Sequence, residues 1–192
     1  GRREDAPDAG QGVSTLDLKG KVVVPGFVEP HMHLPPLAMM HEFSNIGPNR
    51  FETTEAALVQ LAKVAAATPK GEWVVGRQFD PSLQQGPDYL TRDLLDGVST
   101  EHPVFVYNAS LHLGYCNTVA LELAGIDAST PDPQNAEIGR DAAGNPNGVL
   151  KAGPAMALVV RHNTKLKNGN IAEGCLSVLG QANAEGITLL AD

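Results

Sequence analysis

Residues 22–36, VVVPGFVEPHMHLPP, constrain this chain more than any other stretch. Two short apolar runs, 22–24 and 27–34, are separated by Pro25-Gly26 and closed by Pro35-Pro36. Pro and Gly punctuate strands, and two consecutive prolines cannot continue a central one, so the pattern predicts strands on either side of the turn. A third strand-like run, 16–18, precedes the turn at Lys19-Gly20. In a strand, alternate side chains share a face, so His31 and His33 point the same way and Met32 the other. Their Cα atoms then lie about 6.5 to 7 Å apart. Two imidazoles can close that span onto one ion at metal–nitrogen distances of about 2.0 to 2.1 Å. Spacing alone leaves the alternative open that the pair is an exposed strand end. A catalytic zinc has three or more protein ligands, so the metal reading requires further side chains.

The rest of the chain alternates between the two periodicities. Residues 53–67 carry Ala57, Leu58, Leu61, Val64 and Ala65 at helical spacing, with Thr53 or Thr54 as N-cap. Strands are expected over 73–79 and 103–107, with a short helix over 90–95 between them. A second short helix, 117–124, is closed by Gly125, the residue type that best tolerates a left-handed C-cap. Residues 127–147 are polar and turn-rich, with a hairpin through 137–140. Helical patterning returns over 155–162 and 171–185, and 186–192 reads as a buried strand. Residues 1–14 are polar, without periodicity, and read as a tail.

Composition narrows the partners. Acidic residues outnumber basic ones by 22 to 14, a net charge of -8, which removes the basic footprint nucleic-acid binding requires. No apolar run approaches the roughly 18 residues of a membrane span, and the first residues lack the apolar stretch of a signal peptide. Two cysteines, Cys116 and Cys175, stand far apart and outside any zinc-module spacing, so a reducing, cytoplasmic setting is expected.

The string LDLKGKVVVPGFVEPHMHL resembles the amidohydrolase superfamily, in which a small β-sandwich leads through a Pro-Gly turn into a barrel strand ending in His-x-His. The resemblance continues in EWVVGRQFDP, in LLDGVSTEHPVFVYNASLHLGYCNTVALELAGI and in IGRDAAGNPNGVL, and together these look like the amidohydrolase-3 branch. It implies an α/β fold: part of a (β/α)8 metallo-hydrolase barrel, incomplete in this chain, with an inserted small α/β subdomain. The implied division is a tail and β-sandwich remnant over 1–24, the first barrel strand over 25–36, the inserted subdomain over 37–154, and a return to the barrel over 155–192. It implies that His31 and His33 bind a divalent metal, zinc being expected, and that His112, ahead of Asn117-Thr118-Val119-Ala120-Leu121, faces a small-molecule substrate, a core or turn histidine bonded to backbone being the alternative. His41, His102 and His162 match nothing in the family pattern, and Trp73 reads as a hydrophobic anchor.

Two departures stand out. Where the branch carries a Glu shortly after Gly148-Val149-Leu150, this chain has Lys151 and Ala152. The general-base Asp and the later His ligands are expected beyond Asp192. The implied activity is hydrolysis of non-peptide carbon–nitrogen bonds by the full-length protein, this piece being inactive alone. Deamination of a cyclic substrate is an alternative on the same fold. A non-catalytic piece that self-associates through open strand edges is another.

Overall fold

The computed structural model describes residues 16–168 and 170–192, so the expected tail over 1–14 lies outside the described residues. The chain divides into two compact units. One comprises residues up to Met32 together with Ala182–Asp192, and the other is His33–Gln181.

The larger unit is built on a six-stranded sheet. Its strands are β2 (Ser44–Asn45), β3 (Val74–Phe79), β4 (Val104–Asn108), β5 (Leu113–Cys116), β6 (Glu137–Arg140) and β7 (Pro146–Lys151). They lie in the order β2-β3-β4-β5-β7-β6; the first three are mutually parallel, and the remaining pairs are antiparallel. Side chains alternate across this sheet, so Val74, Val104 and Val106 enter one core with Leu61 of helix α2 (Thr54–Ala67). Val75 and Phe105 enter the other core with Met156 of α5 (Gly153–Val160). Both faces are covered, which explains why the parallel strands read as unbroken apolar runs rather than as alternation. The helical pattern over 53–67 is realised as expected, with the Thr53 hydroxyl accepting from the Ala56 N–H at 3.1 Å.

Helix α4 (Thr118–Ala124) is closed by Gly125 at φ 67°, as its sequence predicts. Its N-cap, Asn117, is fully buried and works on both sides of its amide. Oδ1 accepts from Val104 N at 2.9 Å and Ala120 N at 3.1 Å, while Nδ2 donates to Ser99 O at 2.8 Å and His102 O at 2.9 Å. One side chain thus joins α4, β4 and the loop after α3 (Arg92–Asp96). Trp73 is buried in the core, as its anchor reading requires. His102 is also buried, its Nδ1 lying 3.0 Å from the Glu72 carbonyl.

β7 was not evident in sequence because it begins with a proline and contains Gly148. Pro146 is tolerated as the first residue of a strand. Gly148 has φ +90°, and a Cβ there would overlap the Cys116 carbonyl and lie 2.7 Å from Arg92 N. Only glycine lets these backbones approach so closely.

The smaller unit holds β1 (Phe27–Glu29) and β8 (Ile187–Leu190), a parallel pair. Three expectations fail here. Residues 16–18 and 22–24 form no strand and are exposed, Val22 at 87%. A strand needs a partner for its backbone groups, and among the described residues none pairs with them. The buried strand expected over 186–192 is shorter and leaves Leu189 59% exposed. Among the described residues both sheets are open, and no closed barrel was expected within this chain. No helix among them is long and apolar enough to cross a membrane.

Candidate functional site

The third failed expectation concerns the histidine pair. The strand expected to run through Leu34 stops at Glu29. The reason lies in the ladder: Ala191 N donates to Glu29 O at 2.9 Å, and Met32 N donates to Ala191 O at 3.1 Å. In a regular parallel ladder the residues bonded to one partner are two apart, whereas Glu29 and Met32 are three apart. One extra residue is therefore inserted at Pro30-His31, a bulge that breaks the alternation on which the same-face reading depended. Pro30 has no N–H to lose from the ladder. The displaced His31 N–H is taken up by the Glu29 carboxylate, Oε1 accepting at 3.1 Å. Glu29 went unnoticed in sequence, and it is the residue that fixes the His31 backbone.

His33 belongs to the other unit, as the N-cap residue of α1 (Leu34–Met39), and its carbonyl accepts from Leu37 N at 3.1 Å. The two prolines read as strand terminators instead open this helix. Pro35 and Pro36 sit in the first turn, where an N–H has no intrahelical partner anyway. Both His31 and His33 are exposed.

His112 is exposed on the loop between β4 and β5, and its backbone is held at both ends. Its N–H donates to Ser110 Oγ at 3.2 Å, and its carbonyl accepts from Ala152 N at 2.8 Å. Two non-glycine residues at left-handed φ flank this arrangement, Leu111 at 59° and Ala152 at 67°. Such backbone strain collects at ligand-binding and catalytic loops, and the surrounding structure must over-determine it. Here buried Asn108 does so, its Oδ1 accepting from both Ser110 N at 2.9 Å and Ser110 Oγ at 2.7 Å. The Asn-x-Ser spacing is a local turn signal that the sequence reading did not use. The left-handed Leu111 was not legible, since leucine gives no such signal. Lys151, next to Ala152, is paired with Glu137 at 2.7 Å, and that hydrogen bond raises its pKa.

Residues 14–190 match the sequence profile of the Amidohydrolase family. The chain belongs to that family. Among its relatives are the N-substituted formamide deformylase of Arthrobacter pascens, 38% identical over 145 residues, covering 76% of this chain and 26% of that protein. The exoenzymes regulatory protein AepA of Pectobacterium carotovorum subsp. carotovorum is 34% identical over 182 residues, covering 92% of this chain and 39% of that protein. Protein LONG AFTER FAR-RED 3 of Arabidopsis thaliana is 25% identical over 183 residues, covering 95% and 31% respectively. This amidohydrolase chain thus spans between 26% and 39% of the length of these relatives.

The donors on this amidohydrolase chain suit a divalent first-row metal, since imidazole nitrogens are common ligands for such ions. Their number falls short. Among the described residues no group of three or more His, Cys, Asp or Glu side chains could hold an ion. The histidine pair supplies at most two ligands of a catalytic shell, and no chemical step follows from it alone.

Proposed function

We propose that the whole protein is a metal-dependent hydrolase of carbon–nitrogen bonds in non-peptide amides. In this reading His31 and His33 are two of its metal ligands, and His112 faces the small-molecule substrate. The observation that carries the reading is the place of His31, just past the C-terminal end of β1 in a parallel strand pair, within a family match that spans 14–190. Barrel enzymes assemble their chemistry at the C-terminal ends of parallel strands, and β1 and β8 are read here as two strands of such a barrel. The printed name of the deformylase relative, which specifies an N-substituted formamide, favours an amide-type bond. The strained loop that holds His112 supports its substrate-facing role.

A bound divalent metal would polarise the substrate carbonyl and lower the pKa of a water nucleophile; zinc is the ion proposed, and imidazole donors suit it as they suit iron, nickel and copper. The protein's own contribution is positioning. Glu29 holds the His31 backbone, and α1 starts at His33.

Metal analysis of the full-length protein, combined with a panel of simple amides and cyclic amidines, tests this. We expect a stoichiometric divalent metal, turnover of amides, and loss of both in His31→Ala and His33→Ala, activity falling on the order of a hundredfold or more. A metal-free protein whose hydrolysis is unchanged in His31→Ala would overturn the proposal. Turnover of the amidines alone would move it to deamination.

A further inference from the structure

The surroundings of His112 treat its main chain and its ring differently. The main chain is bonded at both ends, to Ser110 Oγ and to Ala152 N, whereas the imidazole of this exposed residue bonds to no other group among the described residues. His41 and His102 show the opposite habit. Each sets Nδ1 against a main-chain carbonyl, 2.8 Å from Ala38 O and 3.0 Å from Glu72 O. A histidine bonded in that way serves the fold, while His112 is held by its backbone and keeps its ring nitrogens for another partner.

The hold on His112 can be followed back to the core. Tyr115 of β5 is fully buried and sits edge-on to Phe79, ring centroids 5.5 Å apart. Its hydroxyl accepts from Asn108 Nδ2 at 3.2 Å, so the Asn108 carboxamide turns its oxygen toward the loop. That oxygen accepts from Ser110 N at 2.9 Å and from the Ser110 hydroxyl at 2.7 Å. With its one proton given to Asn108, Ser110 Oγ can only accept, and it takes the His112 N–H at 3.2 Å. Every link therefore runs in one direction, and each polarises the next. The chain belongs to the connection alone, since β4 ends at Asn108 and β5 begins at Leu113. It also keeps Leu111 at φ 59°, where neighbouring contacts must offset the strain, and the Leu111 N–H donates to Asn108 O at 3.0 Å.

We propose that Asn108 and Ser110 are positioning residues of the hydrolase, presetting the His112 main chain so that its imidazole meets the substrate without the loop first having to order. This rests on the reading of His112 as substrate-facing given above. Preordering a contact reduces the entropy lost on binding, so the role belongs to KM and not to the chemical step.

Two readouts on the full-length protein test it: hydrogen exchange at the His112 amide, and KM and kcat for N-phenylformamide as the probe substrate. Ser110 is exposed, so Ser110→Ala leaves the packed core intact. We expect exchange at His112 to quicken about fivefold and KM to rise about fivefold at unchanged kcat, the equivalent of one neutral hydrogen bond. Asn108→Asp retains both accepted bonds and should stay within about twofold of the parent KM, whereas Asn108→Ala should exceed Ser110→Ala. In a His112→Ala background Ser110→Ala should raise KM no further, because it acts only through His112. A fall in kcat at unchanged KM would overturn the proposal, since that is the mark of lost folded protein. So would a further rise in KM in the double variant, or unchanged exchange at His112 in Ser110→Ala. If exchange quickens but His112→Ala leaves KM unaltered, or the probe is not turned over, the restraint on the loop stands and its role in the hydrolase falls with the substrate-facing reading.

Discussion

The six-stranded unit and the two-stranded pair handle apolar side chains in opposite ways. In the first, Val104, Phe105 and Val106 of β4 are all fully buried, because helices cover both faces of the sheet. In the second, Phe27 and Val28 of β1 are each 56% exposed, although their residue types are no less strand-forming. Strand propensity and apolar character are therefore shared, and what differs is the supply of covering layers. A parallel pair offers two edges and two faces, so two strands alone satisfy little of what parallel pairing requires.

The sharpest way to break this comparison is to truncate one side chain in each unit. Leu150→Ala in β7 removes a fully buried side chain and should cost about 2–5 kcal/mol. Val28→Ala should cost under about 1 kcal/mol, since little of its surface leaves water. Denaturant melts compare the two; equal losses would mean that the exposure contrast has no energetic content. A smaller effect is expected at Asn117, where Asn117→Ala removes a cap and leaves Val104 N, Ser99 O and His102 O without their partner, a loss of about 2–3 kcal/mol. Asn117→Asp should rescue only part of it, because a carboxylate accepts but does not donate. Full rescue would show that the two donated bonds contribute nothing.

The smallest effect is a pH dependence confined to the larger unit. Burial pushes the Tyr107 hydroxyl from 10.0 up to about 12. Between those values the folded chain retains a proton that the unfolded chain has lost, so this contribution to stability is present below pH 10 and is lost as pH rises toward 12. Tyr107→Phe should flatten that alkaline slope in melts recorded across the window. An unaltered slope would assign it to other groups.

Much of the larger unit was legible in the sequence. Thr53 with the spaced apolar residues that follow it, and Asn117 with Gly125, give both ends of their helices, since caps and periodicity are local signals. The α1 helix was hidden because Pro35 and Pro36 end strands and open helices equally well, and only the chain beyond them distinguishes the two. β7 was hidden because Gly148 looks like a turn until the neighbouring backbones are seen against it. At the candidate site, the identities of His31, His33 and His112 could be read, but their settings could not. The bulge depends on a bond to Ala191, 160 positions from His31, and nothing local to the motif announces it.

That inserted residue changes which sequence alterations this segment can absorb. A substitution at Phe27 or Val28 leaves the rhythm of the strand and its offset at Pro30 untouched, so the heading of His31 survives. Deleting Pro30 would remove the inserted residue and turn every later side chain of the segment to the opposite side. The segment is thus tolerant of exchange and intolerant of shortening; its length carries information that residue identity does not.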